Sequence, residues 1–243
     1  MTRARIRVIK VGGSLLECEQ LPRLLNNWLP QAADDHLNEA SPKAARIDIL
    51  VAGGGALADQ VRQLDKRFAL DSKTSHWMSV SAMSCTSRLL ASLLNMGLPC
   101  ERWGDLQVIV SDSRSQLTVF DTRQWLAETE SSQPGVLLTH DWHTTSDSIA
   151  ARLARVLCAD ELVLLKSTDI PPGIGWRVAA EQGLVDAHFP QITAELPRVV
   201  CVNLRQFEDR RAEKSRPFID AAKPPMATRQ KLLYGDSQGR FGG

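Results

Sequence analysis

The sequence is poor in the features that mark membrane, secreted or nucleic-acid-binding chains. No apolar run approaches the roughly 20 residues that a membrane-spanning helix needs. The N-terminus, MTRARIRVIK, is basic but passes straight into an apolar run and then glycines. It lacks the h-region and cleavage site of a secretory signal. Charge is nearly balanced, 29 Lys and Arg against 28 Asp and Glu, so there is no electrostatic footprint for nucleic acid or a membrane surface. The five cysteines (Cys18, Cys85, Cys100, Cys158 and Cys201) are odd in number and include no CxxC. That pattern fits reduced thiols and a cytoplasmic location, not a disulfide framework. Of the five histidines only His140 and His143 are close, around Asp141; that spacing admits a metal site, but the five lack a tight metal pattern and no metal centre is predicted. No internal repeat is longer than a strand–glycine–helix unit.

What is present is ordinary for an enzyme. At 243 residues, 43% hydrophobic and 23% charged, the chain has the size and composition of one large α/β domain. That domain is expected over residues 1–209. A charged, proline-containing arm follows over residues 210–243, where loose structure is expected.

The organising stretch is the first fifteen residues. RIRVIKV (Arg5 to Val11) reads as a buried strand that runs into Gly12-Gly13-Ser14 and then Leu15-Leu16. Glycines let a backbone approach a bound group, and a helix start aims free N–H groups at an anion. Lys10 adds a point charge just before the turn. The pattern recurs: RIDILVA (Arg46 to Ala52), then Gly53-Gly54-Gly55, then a helical stretch over Ala56 to Leu70. Two such turns at the carboxyl ends of parallel strands place anion-friendly backbone along one sheet edge, where open α/β sheets bind ligands.

Elsewhere the periodicity predicts helices over Leu21 to Leu29, Asp71 to Met96, Thr122 to Glu130 (with Trp125 as its anchor) and Ile149 to Leu157. Pro30 to Ala45 reads as a helix tail and loop. Leu106 to Val110 and Leu117 to Phe120 read as short strands of a small antiparallel excursion, and Gly135 to Thr139, Glu161 to Lys166 and Val199 to Val202 as further strands. Leu184 to Leu196 reads as a short helix broken by Pro190. Asp147 falls in a first helical turn. There it either favours the positive helix end or orients lysines or a metal in a cleft. Lys166 ends an apolar run, where a lysine is costly unless it meets an anion or reaches water. His76 and Trp77 fit packing or substrate contact.

On VIKVGGSLL (Val8 to Leu16), LVAGGGALADQVR (Leu50 to Arg62), TTSDSIAARLA (Thr144 to Ala154) and LLKSTDI (Leu164 to Ile170), the chain resembles the amino acid kinase superfamily over roughly residues 5 to 205. Shorter matches at His76-Trp77-Met78, Thr145 to Ala151, Val185-Asp186 and Phe189-Pro190 resemble its kinases of methanofuran-type cofactor biosynthesis.

The resemblance implies a three-layer αβα sandwich around a mainly parallel, eight-stranded sheet, usually in a homodimer or higher homo-oligomer. It implies a kinase that uses ATP and Mg²⁺ to phosphorylate the phosphate or carboxylate of a small acceptor. Lys10, Asp147 and Lys166 would be catalytic, with Asp147 fixing the lysines. Gly12, Gly13, Ser14, Thr168 and Asp169 would hold the nucleotide. Gly53, Gly54, Gly55 and Ser146 would hold the acceptor. The chain departs from the pattern at the nucleotide loop. The usual T-D-V-D-G is here Thr168-Asp169-Ile170-Pro171-Pro172-Gly173, and the shortened segment Ile174 to Leu184 offers no lysine. A non-catalytic nucleotide- or oxyanion-binding protein on the same fold is the competing reading.

Overall fold

The computed structural model describes residues 3–31, 45–171 and 173–207. The tail from residue 210, most of the stretch from Pro30 to Ala45, and Pro172 lie outside the described residues. Five strands, β1 (Arg5–Val11), β2 (Arg46–Ala52), β3 (Gln116–Val119), β4 (Glu161–Lys166) and β5 (Val199–Asn203), form one sheet in the order β3-β2-β1-β4-β5. Every pairing is parallel. The helices are α1 (Leu21–Gln31), α2 (Gly55–Phe68), α3 (Ser72–Leu93), α4 (Trp103–Ser111), α5 (Arg123–Glu128), α6 (Ser146–Val156), α7 (Trp176–Glu181) and α8 (Phe189–Thr193).

Strands covered on both faces read as near-continuous apolar runs; β2 and β4 nearly do, whereas in β1 the buried Arg7 and Lys10 interrupt the run. Alternation sorts their side chains into two cores. Ile6 and Val8 of β1, Ile47, Ile49 and Val51 of β2, and Leu162 and Leu164 of β4 pack with α3 through α8. Ile9 and Val11, Leu50 and Ala52, and Val163 and Leu165 face the other way, with α1 and Leu90 of α3. The result is an αβα sandwich with a parallel sheet. Among the described residues it has five strands, not the eight that the resemblance implies.

Four local expectations are corrected. Residues 106–110 are helix, within α4, not strand. Residues 117–119 are strand but pair parallel to β2, so no antiparallel excursion exists there. Residues 135–139 form no strand. Val136 and Leu137 are exposed, and the Arg152 guanidinium takes the carbonyls of Pro134 at 2.7 Å and Gln133 at 2.9 Å, holding the preceding chain in an irregular path. Pro190 does not break a helix but sits in the first turn of α8, where its missing N–H costs nothing. The long helix α3 forms as its periodicity indicates: Asp71 caps its N-terminus by accepting from Thr74 N at 3.0 Å.

Candidate active site

Strand register brings the two lysines together. β1 and β4 are neighbours, with Lys10 opposite Leu164, so Lys166 lies one pleat repeat further along the same face. That face is covered by α6, whose first turn carries Asp147. Lys166 Nζ donates to Asp147 Oδ2 at 2.6 Å and to the Leu184 carbonyl at 3.0 Å. Lys10 Nζ lies 2.8 Å from Asp147 Oδ1, an ion pair without hydrogen-bond alignment. Lys10 and Asp147 are buried, at 5% and 4% exposure. Two ammonium groups share one carboxylate, leaving an excess of one positive charge.

Burial alone would raise the pKa of Asp147, but the two ammonium groups outweigh it and hold the carboxyl below the ordinary aspartate range. Burial, together with repulsion from Lys10, pushes Lys166 down, with Asp147 offsetting part of that. Cys201 lies opposite Leu164 on β5. Burial pushes its thiol up to about 11, so it stays protonated and is no nucleophile.

Beside this triad is a cleft of about 230 Å³. Lys10, Gly13, Ser14, Gly54, Gly55 and Ser146 line it. The glycine turns meet backbone to backbone: a Cβ on Gly13 would fall 2.6 Å from Gly55 N, and one on Gly53 2.7 Å from Gly13 N. Gly55 also has a positive φ of 54°, which disfavours a side chain. The expected phosphate cradle is narrower than the sequence implies. Gly12 N–H donates to the Leu165 carbonyl at 2.8 Å and Gly53 N–H to the Val11 carbonyl at 2.9 Å. Those two amides serve the sheet, and neither glycine lines the cleft. Gly13 and Ser14 open a 3-10 turn, and Gly54 and Gly55 open α2; N–H groups at helix starts have no partner within the helix. Thr168 and Asp169 sit beyond the end of β4, exposed, and do not line this cleft. Ser14 Oγ instead lies 2.8 Å from Ser167 Oγ.

Asp186 has no role assigned from the sequence beyond its place in a Val-Asp match. Its carboxylate accepts from Thr145 N at 2.9 Å, Thr145 Oγ1 at 2.7 Å and Ser148 N at 3.1 Å, and also from Ser148 Oγ. His188 N and Phe189 N donate to its other edge at 3.1 and 3.0 Å. It therefore anchors both sides of Ser146-Asp147 and ties α6 to α8. The available signal was the pair of hydroxyls flanking Ser146-Asp147, which need an acceptor when buried.

A sequence profile of the amino acid kinase family matches residues 5–170. The chain belongs to the amino acid kinase family. A relative from Methanocaldococcus jannaschii, [5-(aminomethyl)furan-3-yl]methyl phosphate kinase, is 22% identical over 176 residues, 68% of this chain and 67% of the relative. The fold is similar to that of UMP kinase from Ureaplasma parvum, with a TM-score of 0.55 and 16% identity over 83% of this chain and 91% of that one. UMP kinase from Bacillus anthracis gives 0.52 and 14% over 84% and 89%. This family member is accordingly a phosphotransferase of the kinase type. Among the described residues no helix is long and apolar enough to cross a membrane.

Proposed function

We propose that the chain is an ATP-dependent kinase that moves a phosphoryl group onto the phosphate of a small acceptor. The observation that carries this reading is the Lys10–Asp147–Lys166 triad, with its uncompensated positive charge beside a cleft that meets the starts of α2 and α6. Phosphoryl transfer needs alignment and charge neutralisation more than covalent help. Lys10 faces the cleft and neutralises charge on the transferring group. The amides at the start of α2 hold the acceptor phosphate, and those of Gly13 and Ser14 hold the donor phosphates, where helix starts favour anions. Asp147 holds both ammonium groups in place and is not a base. A phosphomonoester is already ionised near neutral pH, so no base is needed.

The donor set suits ATP with Mg²⁺. Both oxygens of Asp147 face lysines, so the ion would rest on phosphate oxygens and water, as Mg²⁺ commonly does. When bound, the pair supplies the γ-phosphoryl and screens its charge. Thr168 and Asp169 would line the nucleotide side. The relative's substrate, a furan phosphomonoester, supports that compound class as the first acceptor to try. The exposed stripe of Leu57, Leu64 and Phe68 on α2 supports a homo-oligomer.

The test is ADP release from ATP and Mg²⁺ against a panel of small phosphomonoesters, with Lys10→Met as control. Release that depends on acceptor and on Lys10 is expected; no release with any acceptor would sink the kinase reading. A non-catalytic nucleotide binder draws support from the exposure of Thr168 and Asp169 and the absence of a lysine in 174–184. It predicts ATP binding without ADP release.

A further inference from the structure

The cleft wall away from the triad carries a different chemistry, which phosphoryl transfer itself leaves unused. There α2 supplies Asp59 and Arg62, α3 supplies His76 and Ser79, and the segment before α6 supplies Asp141 and Trp142. His76 is 3% exposed. Its ring stacks on His140 at 5.0 Å, the planes 15° apart, and meets the Trp77 edge at 5.4 Å. Burial and the neighbouring His140 push its pKa down, so the ring is neutral near pH 7. The Asp141 backbone favours a proton on the ring, and Nε2 has no partner. The proton therefore sits on Nδ1, and Nε2 is an acceptor.

Ser79 Oγ is a second buried polar atom without a partner. Ser81 and Ser84 on the same helix close back onto the carbonyls of Trp77 and Val80, while Ser75 and Ser79 do not, and of these two Ser79 lines the cleft. An acceptor shut off from water and left unmatched is costly, so two such atoms along one cleft wall call for a donor brought by a ligand. Charge decides which donor. Asp59 pairs with Arg62, which leaves Asp141 as the excess charge of this wall. Burial would raise the pKa of Asp141, but hydrogen bonds from His143 N at 2.8 Å and Thr139 Oγ1 at 3.0 Å help hold it below the ordinary range. The cleft thus runs from one surplus positive charge at Lys10 to one surplus negative charge at Asp141. A hydroxyl would satisfy His76 but leave Asp141 without a counter-charge; an ammonium group answers both.

We infer that this wall is a subsite for a protonated primary amine on the acceptor, with His76 Nε2 and Ser79 Oγ accepting its protons and Asp141 supplying the counter-charge. The inference rests on the acceptor-phosphate reading above and assigns the specificity of that acceptor to named residues. The substrate class is a short zwitterion, phosphate at one end and ammonium at the other.

Calorimetric binding of two probes tests it: [5-(aminomethyl)furan-3-yl]methyl phosphate and its counterpart with a 5-methyl in place of the aminomethyl group. Wild type should bind the amine tighter by about tenfold to a hundredfold, the range for one matched buried acceptor. His76→Phe keeps the stack on His140 but removes the acceptor, and Asp141→Asn removes the charge. Each should erase most of the preference while leaving the Kd of the 5-methyl compound unchanged, whereas a merely structural defect would weaken both. His76→Gln, which restores an acceptor, should recover part of the preference. Equal affinities in wild type, or a preference that survives both substitutions, overturns the subsite and leaves phosphoryl transfer standing. Discriminated binding without ADP release overturns the kinase reading and leaves the subsite. Binding of neither phosphate overturns both.

Discussion

Two buried clusters of charge flank the same strand and have opposite characters. Towards the N-terminal end of β1, Arg7 donates to both oxygens of Asp48, at 2.8 and 3.0 Å. Arg46 adds a third bond to Asp48 at 3.0 Å. Glu161 lies 3.9 Å from Arg7 and 2.7 Å from Arg198, and the Arg7 guanidinium covers the Trp28 ring at 5.5 Å. Three residues along, Lys10 meets Asp147 with no such fork, and a second lysine shares the carboxylate. An arginine fork is rigid and always charged, while a lysine is a point charge whose pKa shifts when buried. The first cluster faces the α1 core: Arg7 and both carboxylates are bonded within it, and its extra arginines, Arg46 and Arg198, reach solvent. The second leaves positive charge over and opens on a cleft. A buried charge matched on all sides is architecture; one left in surplus beside open space invites a ligand.

This contrast can be broken from either side. The largest effect is expected from Lys10→Met, which should lower turnover by about 10²–10³, the cost of removing one preorganised charge donor, with the fold retained by circular dichroism. Near-normal turnover would make Lys10 a second architectural charge. Arg7→Met should do the reverse. It leaves Asp48 in the interior with Arg46 as its remaining partner, at a cost of up to about 3–5 kcal/mol, read by urea unfolding, while turnover per folded molecule holds. Asp186→Asn should be milder, at about 1–3 kcal/mol for the disturbed buried network. It should lower kcat more than it raises the KM for the phosphate acceptor, because it lets the α6 start and Asp147 drift; equal losses in a Lys10→Met background and in wild type would argue against that route.

The smallest effect is one of pH. Asp147 titrates below its ordinary 3.8 in the folded chain. The unfolded chain therefore binds this proton at higher pH than the folded one. The stabilisation is present above 3.8 and lost as pH falls through the lower folded value. The stability gap between wild type and Asp147→Asn should narrow as pH drops from about 5 to about 3; a gap that stays constant would mean the carboxylate contributes only through packing.

Legibility followed locality. β2 and β4 announce themselves because a strand buried on both faces needs most of its residues apolar, β1 because its apolar residues run into a glycine turn, and α3 because its apolar positions and its Asp71 cap are local signals. LQVIV (Leu106 to Val110) misleads because a short apolar run suits a buried strand or a helix segment equally, and tertiary packing of Leu106 settles it as helix. GVLLT misleads for a related reason. The buried Arg152–Glu130 pair, at 2.7 Å, takes over the chain just before it and leaves Val136 and Leu137 in solvent. Neither arginine nor glutamate advertises from afar which backbone it will hold. Asp186 is equally silent, since its partners sit about forty residues earlier.

For Lys10 and Asp147, residue type and local position were readable from the chain: a lysine before a glycine turn, an acid in a helix's first turn. Their meeting was not. Lys166 reaches Asp147 because β1 and β4 pair in one particular parallel register, and because α6 crosses the same face. A shift of one residue would turn Lys166 to the opposite side of the sheet. The glycines divide in the same way. Five glycines mark two tight turns in the sequence, but only the sheet decides that the amides of Gly12 and Gly53 are taken by neighbouring carbonyls. What faces the cleft is Gly13, Gly54 and Gly55, because backbone hydrogen bonding along a parallel sheet ends where the strands end, and the next amides in line have no strand left to serve.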